Sequence, residues 1–246
     1  MTIIKRAICS ILFRATRPYK RIIEKYSLVG KNPSEVFTEV YKNNYWGDRD
    51  SVSGPGSNLK QTDVLRHELS ILFKKKCYSK ILDVPCGDFF WMKEMDLSSY
   101  QYLGGDIVSD LIISNTEKYK KDNVNFILCN LIDDELPDAD LLIMRDCLVH
   151  LSFADISNVI ANVVNSDIKY LLTTTFLNVN KNKDIVTGQW RMINLELEPF
   201  NFPKADEYII ECCRESNSAI GKSLGLWSIE KLRQHRSCTQ LIKEAT

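Results

Sequence analysis

The run Ile81-Leu82-Asp83-Val84-Pro85-Cys86-Gly87-Asp88-Phe89 carries the strongest chemical signal in this 246-residue chain. An apolar strand here enters a tight turn and then a helix, the arrangement by which a doubly wound sheet presents a nucleotide-bearing ligand at the carboxyl ends of its strands. A second apolar run, Tyr102-Leu103-Gly104-Gly105-Asp106, ends in a carboxylate 19 residues after Gly87. An acid at this spacing can accept both hydroxyl protons of a ribose.

The turn itself narrows the ligand. Dinucleotide binding uses GxGxxG, whose second glycine lets the backbone touch the pyrophosphate. Pro85-Cys86-Gly87-Asp88-Phe89-Phe90 offers one glycine, an added acid and bulky side chains. A pyrophosphate would meet Asp88, so a dehydrogenase is disfavoured. A ligand with a ribose and no phosphate suits the turn better. S-adenosylmethionine (SAM) fits that description: Gly87 permits close approach, and acids tolerate its ammonium and sulfonium charges.

DVPCGD followed by GGD resembles the class I SAM-dependent methyltransferases, over roughly residues 60 to 230. The resemblance implies that Asp83, Pro85 and Gly87 line the methionine part of SAM, and that Asp106 holds the ribose with Ile107 against the adenine. It also places Asn130 and Leu131 at the adenine edge, where many members carry Asp. Pro85 and Cys86 replace the usual glycine and small residue of the first turn.

The fourth strand runs out as Leu142-Ile143-Met144-Arg145-Asp146-Cys147-Leu148-Val149-His150-Leu151. In the family this carboxyl end faces the transferred methyl group. It holds neither NPPY nor DPPY, the motif that grips the amino group of a nucleobase, which disfavours adenine N-methylation and DNA as a partner. Asp146 and His150 are candidate catalytic bases for a hydroxyl, a role that contributes ~10²- to 10⁴-fold. His150 comes first, because its unperturbed pKa lies near ~6.5. The plainer alternative is that His150 only caps or packs the following helix. Arg145 is expected to border the cofactor.

Two further stretches carry candidates. Ser53-Gly54-Pro55-Gly56-Ser57 could fold over the cofactor while Arg66 pairs with the SAM carboxylate. Trp190, Arg191 and Asn194 could hold a substrate, Trp190 by stacking on C–H surface and the other two by bonding hydroxyls or a phosphate. This segment resembles one in bacterial methyltransferases of the sugar or surface-glycan kind. The expected reaction is therefore SAM-dependent methyl transfer to a small-molecule or glycan acceptor, foremost a sugar hydroxyl. The rivals are an RNA methyltransferase and a non-catalytic methyltransferase-like scaffold.

The elements that must position these residues are legible as a rhythm. β-like runs at 80–84, 102–106, 124–129, 139–144 and 170–176 alternate with helix-length segments at 88–96, 109–120 and 153–165. Runs at 208–213 and 223–229 could finish the sheet. Continuous apolar strands separated by helices mark a parallel sheet covered on both faces. The expected fold is Rossmann-like α/β, a doubly wound, mostly parallel seven-stranded sheet with the last strand antiparallel and a helical lid before it. The chain divides into a basic amphipathic segment 1–32 and a methyltransferase domain 33–246, itself a lid 33–78, a core 79–176, a substrate insert 177–205 and C-terminal strands and helix 206–246.

Charge and cysteine usage bound the partners. The 32 Lys+Arg balance 32 Asp+Glu, which argues against a global polyanion binder and disfavours RNA. Residues 1–25 nevertheless carry seven basic residues and one acid on an amphipathic pattern, so peripheral contact with an anionic membrane is an expectation for that segment. Its apolar run, Ala7 to Phe13, lacks a small-residue cleavage site and makes a poor signal peptide. Eight cysteines without a CxxC pair read as buried hydrophobes of a reducing, cytoplasmic compartment. Three histidines without metal-ligand spacing leave no metal site expected.

Overall fold

Buried strands of four to seven residues and helices with one apolar face assemble into a single sheet covered on both sides. The computed structural model describes residues 28, 30–46, 48–211 and 221–235. The basic segment 1–25, with the membrane contact expected of it, lies outside the described residues.

In chain order the elements are α1 (Pro33–Lys42), α2 (Asp63–Lys76), β1 (Lys80–Asp83), β2 (Gln101–Asp106), α3 (Ser109–Tyr119), β3 (Val124–Leu128), β4 (Leu141–Met144), α4 (Phe153–Asn165), β5 (Tyr170–Phe176), β6 (Glu207–Ile210), β7 (Lys222–Ser228) and α5 (Ile229–Gln234). The sheet order is β3-β2-β1-β4-β5-β7-β6. β1 to β5 pair in parallel. β7 lies between β5 and β6 and runs antiparallel to both; the sequence led us to expect an antiparallel last strand, and its insertion between the two is set by the tertiary fold. The chain winds outward from β1 to β3 and returns to β4 on the other side of β1. That reversal opens a crevice at the carboxyl ends of β1 and β4.

Period-two alternation sorts the central strands into two cores. Leu82, Leu142, Met144 and Leu171 face one layer, closed by Ile156, Val159, Ile160 and Val163 of α4. Ile81, Leu141, Ile143 and Leu172 face the other, closed by Leu65, Leu69, Leu72 and Phe73 of α2. Both faces are buried, which is why these strands read as unbroken apolar runs. Helix starts follow local chemistry: Asn32 and Glu35 form a capping box ahead of Pro33, and the Ser152 side chain accepts the Asp155 N–H.

Two expectations fail locally. No α-helix forms over 88–96; only a short 3-10 turn, Met92–Glu94, appears there. Phe89 sits at φ +58°, and Phe89, Trp91, Met92 and Met95 are all buried. That left-handed backbone at Phe89 cannot continue a right-handed helix, so the segment takes an irregular path. Cys77 is exposed, because it ends α2 in the left-handed conformation instead of packing as a core residue.

Candidate active site

β1 and β2 deliver Asp83, the turn 84–88 and Asp106 to the crevice. Three hydrogen bonds fix the turn. The Cys86 N–H donates to Gly105 O at 2.8 Å, Asn115 Nδ2 of α3 donates to Gly87 O at 2.8 Å, and the Gly87 N–H donates to Asp106 Oδ2 at 3.0 Å. Gly87 has φ +55°, and a Cβ there would lie 2.2 Å from Ser53 Oγ. The position therefore requires glycine for both conformation and space.

Both acids are desolvated. Burial raises the Asp83 carboxyl to about 7, opposed by the Tyr102 hydroxyl and Arg145 and reinforced by Asp106; the hydroxyl donates at 2.7 Å. Burial likewise raises Asp106 to about 6, although the N–H groups of Val108, Gly87 and Ile107 pull it down. A cation brought against this pair stabilises both carboxylates.

Asp88 has a constructive part that the sequence did not reveal. Its carboxylate accepts the Ser51 hydroxyl at 3.0 Å, the Val52 N–H at 3.0 Å and the Ser53 hydroxyl at 3.1 Å. The Asp88 N–H donates back to Ser53 Oγ at 3.0 Å. Loop 51–53 is thereby clamped onto the turn.

At the end of β4 lies a buried ionic network. Arg145 donates to both oxygens of Glu211, at 2.6 and 3.2 Å, and to Gly56 O at 2.9 Å. Asp146 pairs with Lys222 at 2.6 Å and with Arg145 at 3.3 Å. Burial by itself would raise the Asp146 carboxyl, but Lys222 and then Arg145 outweigh it and hold the group well below the usual carboxylate range. Asp146 is a committed anion, which corrects its expected role as an alternative base.

His150 differs. Its Nδ1 lies 3.0 Å from Gln189 O; a carbonyl can only accept, so Nδ1 carries the proton and Nε2 holds the lone pair. Burial lowers the imidazole to about 4, against the raising effects of Asp146 and the Gln189 carbonyl. The ring is neutral near pH 7, and its centroid lies 5.2 Å from that of Trp46. The turn that carries it is held from the insert: the Gly188 N–H donates to His150 O at 2.8 Å and the Arg191 N–H to Val149 O at 3.0 Å.

Superposition on solved structures decides the fold. The chain aligns with magnesium protoporphyrin IX methyltransferase (ChlM) from Synechocystis PCC 6803, solved with bound SAM, at TM-score 0.53 and 11% identity over 81% of this chain and 98% of that one. It aligns with the methyltransferase domain of bacterial CtHen1 at TM-score 0.51 and 11% identity, over 70% and 100% of the two chains. PigF, solved with S-adenosylhomocysteine (SAH), aligns at TM-score 0.50 and 10% identity over 69% of this chain and 56% of PigF. The fold is that of the SAM-dependent methyltransferases. By sequence the chain matches no family model and no curated protein.

In this methyltransferase fold, all but four of the sequence-predicted residues border one cleft of about 1100 Å³, its open mouth included. Asn130 borders it, yet its amide is spent within its own turn on Asp133 and the Ile132 N–H. The four exceptions correct the sequence reading. Arg66 turns to Leu59 O and Asp63. Trp190 is half exposed and stands edge-on to Phe176. Arg191 is buried and donates to the carbonyls of Leu148 and Leu151 at 2.6 and 2.8 Å. Asn194 is buried against Asn182 and Val179 O. The insert folds back to satisfy backbone carbonyls beside His150 and does not reach the cleft.

The cleft also holds aromatic residues the sequence reading missed. Phe37, Tyr41 and Trp46 border it. With Pro33, the first two lie four residues apart along α1, so an aromatic stripe at helical spacing was the available signal. Glu211 and Lys222 left no such signal, because they meet Arg145 and Asp146 only when β6 and β7 close on β5.

Proposed function

We propose that the protein transfers the methyl group of SAM to a hydroxyl of its acceptor. The observation that carries this reading is the pairing of Asp83 and Asp106, two desolvated carboxyls at the switch point of a methyltransferase fold. Buried acids of raised pKa, whose one cationic neighbour, Arg145 beside Asp83, is itself bound to Glu211, suit a ligand that brings positive charge. SAM, when bound, supplies an electrophilic methyl carbon on a sulfonium centre. In this reading Asp83, Pro85 and Gly87 hold its methionine part, Asp106 its ribose, and Ile107 and Leu131 its adenine face.

His150 Nε2 accepts the hydroxyl proton, and Arg145 and Asp146 shape the floor without exchanging protons. Within the lid expected over 33–78, residues 33–57 form the roof and exclude water while α2 packs on the sheet, and residues 177–205 support the His150 turn. Orientation and desolvation supply the larger share of the acceleration, on the order of 7 kcal/mol. Calorimetric titration with SAH tests the reading. Binding to the full chain and its loss in Asp106→Ala are expected; no binding, or unchanged binding by Asp106→Ala, refutes it.

A further inference from the structure

The acceptor end of the cleft has a chemical character of its own. α1 presents Pro33, Phe37 and Tyr41 to the cleft at four-residue spacing, with Trp46 just beyond. The helix is docked along the adjoining stripe: Val36 and Val40 are buried, and a Cβ on Gly188 of the insert would meet Val36 Cγ1 at 2.5 Å and Leu28 Cδ1 at 3.1 Å. The aromatic stripe is thereby aimed inward. At its end the Trp46 ring stands beside the His150 ring, 5.2 Å between centroids.

The charges nearby are already matched. Arg145 is bound to Glu211 and Gly56 O, and Lys222 bonds to Asp146 and lies 3.5 Å from Glu211. A phosphate or carboxylate on the acceptor would have to displace a buried ion pair to find a cation. A sugar ring brings several hydroxyls, each wanting a partner, whereas α1 and Trp46 offer aromatic faces and the Tyr41 hydroxyl, and of the loop serines on the cleft Ser53 is already bonded to Asp88.

Resting on the methyl-transfer reading, we infer that the acceptor is a planar aromatic compound bearing one ionisable hydroxyl, its ring against Trp46 and Phe37 and its oxygen at His150 Nε2. Flat rings stack on aromatic faces without leaving polar groups unpaired. A buried, weakly basic imidazole takes a proton more readily from an aryl hydroxyl than from an alcohol. The aryl oxygen gains the methyl carbon and gives its proton to His150, and the C–S bonding pair stays on sulfur. The sugar hydroxyl expected from the sequence is replaced by this class.

The test titrates the full chain with naphthol, methyl glucoside and phenyl phosphate, with and without SAH, read by tryptophan fluorescence and calorimetry. Naphthol is expected to saturate and the other two are not. Trp46→Ala should weaken naphthol about 10- to 30-fold, and Trp46→Phe by less than about threefold. Labelled methyl from SAM should then appear in the naphthyl methyl ether. Glucoside binding without naphthol binding, or naphthol binding untouched by Trp46→Ala, overturns the inference. Naphthol binding without SAH binding overturns the methyl-transfer reading and keeps the aryl site; SAH binding without naphthol binding does the reverse.

Discussion

His150 Nδ1 and the Gln189 carbonyl oxygen stand 3.0 Å apart, and that one contact sets the tautomer of the ring. With Nδ1 protonated, Nε2 is the basic atom. His150→Ala is expected to lower kcat by ~10²- to 10⁴-fold, the span for a positioned base, while SAH affinity stays nearly unchanged. Equal turnover by the variant, measured under saturating acceptor, would assign His150 to packing alone.

The pair Asp83 and Asp106 makes cofactor affinity depend on pH. With carboxyls raised to about 7 and about 6, both are protonated and neutral in mild acid and charged in mild base. A cationic ligand binds the charged forms, so affinity should climb as pH rises through these two values and level off above about 8. Asp106→Asn is expected to remove the lower step and reduce the plateau. Calorimetry with SAM across this range checks both.

The Asp88 clamp predicts a loop effect. Asp88→Ala removes the acceptor for the Ser51 and Ser53 hydroxyls and the Val52 N–H. Bonds to an ionised acceptor are worth about 1.5–3 kcal/mol each, so loop 51–53 should exchange its amide hydrogens faster and SAH affinity should fall by ~10-fold or more. Unchanged exchange at Val52 would remove the clamp from the account.

Glu211 answers Arg145 inside the fold, with side chains 1% and 4% exposed. Glu211→Ala leaves a buried guanidinium without its carboxylate, and stability should drop by about 3–5 kcal/mol. Urea denaturation reads this directly. A drop under about 1 kcal/mol would mean that Asp146 or water takes over the pairing.

Arg191 shows how a residue type can point to the wrong task. Beside Trp190 and Asn194 it looked like a substrate contact, yet it donates to Leu148 and Leu151 carbonyls. Arg191→Lys keeps the charge and loses the forked geometry, so it should loosen the His150 turn and lower kcat more than it raises KM. A rise in KM alone would restore the substrate role.

By itself the sequence determined the strands, their burial on both faces and the ligand turn. These depend on local apolar runs, on Gly87 and on the spacing of Asp83 and Asp106, all written within short stretches of chain. The helix expected over 88–96 failed because Phe89 takes a left-handed backbone conformation that interrupts it at the start. Only the tertiary structure decided which polar groups face the cleft. Asp146 became a committed anion and Arg191 a clamp through partners far along the chain, Lys222 on β7 in one case and the 148–151 turn in the other. Phe37 and Tyr41 likewise border the cleft because α1, distant in sequence, packs Val36 against Gly188. Partner choice for a charged or aromatic side chain is a long-range matter, and the residue type alone does not settle it.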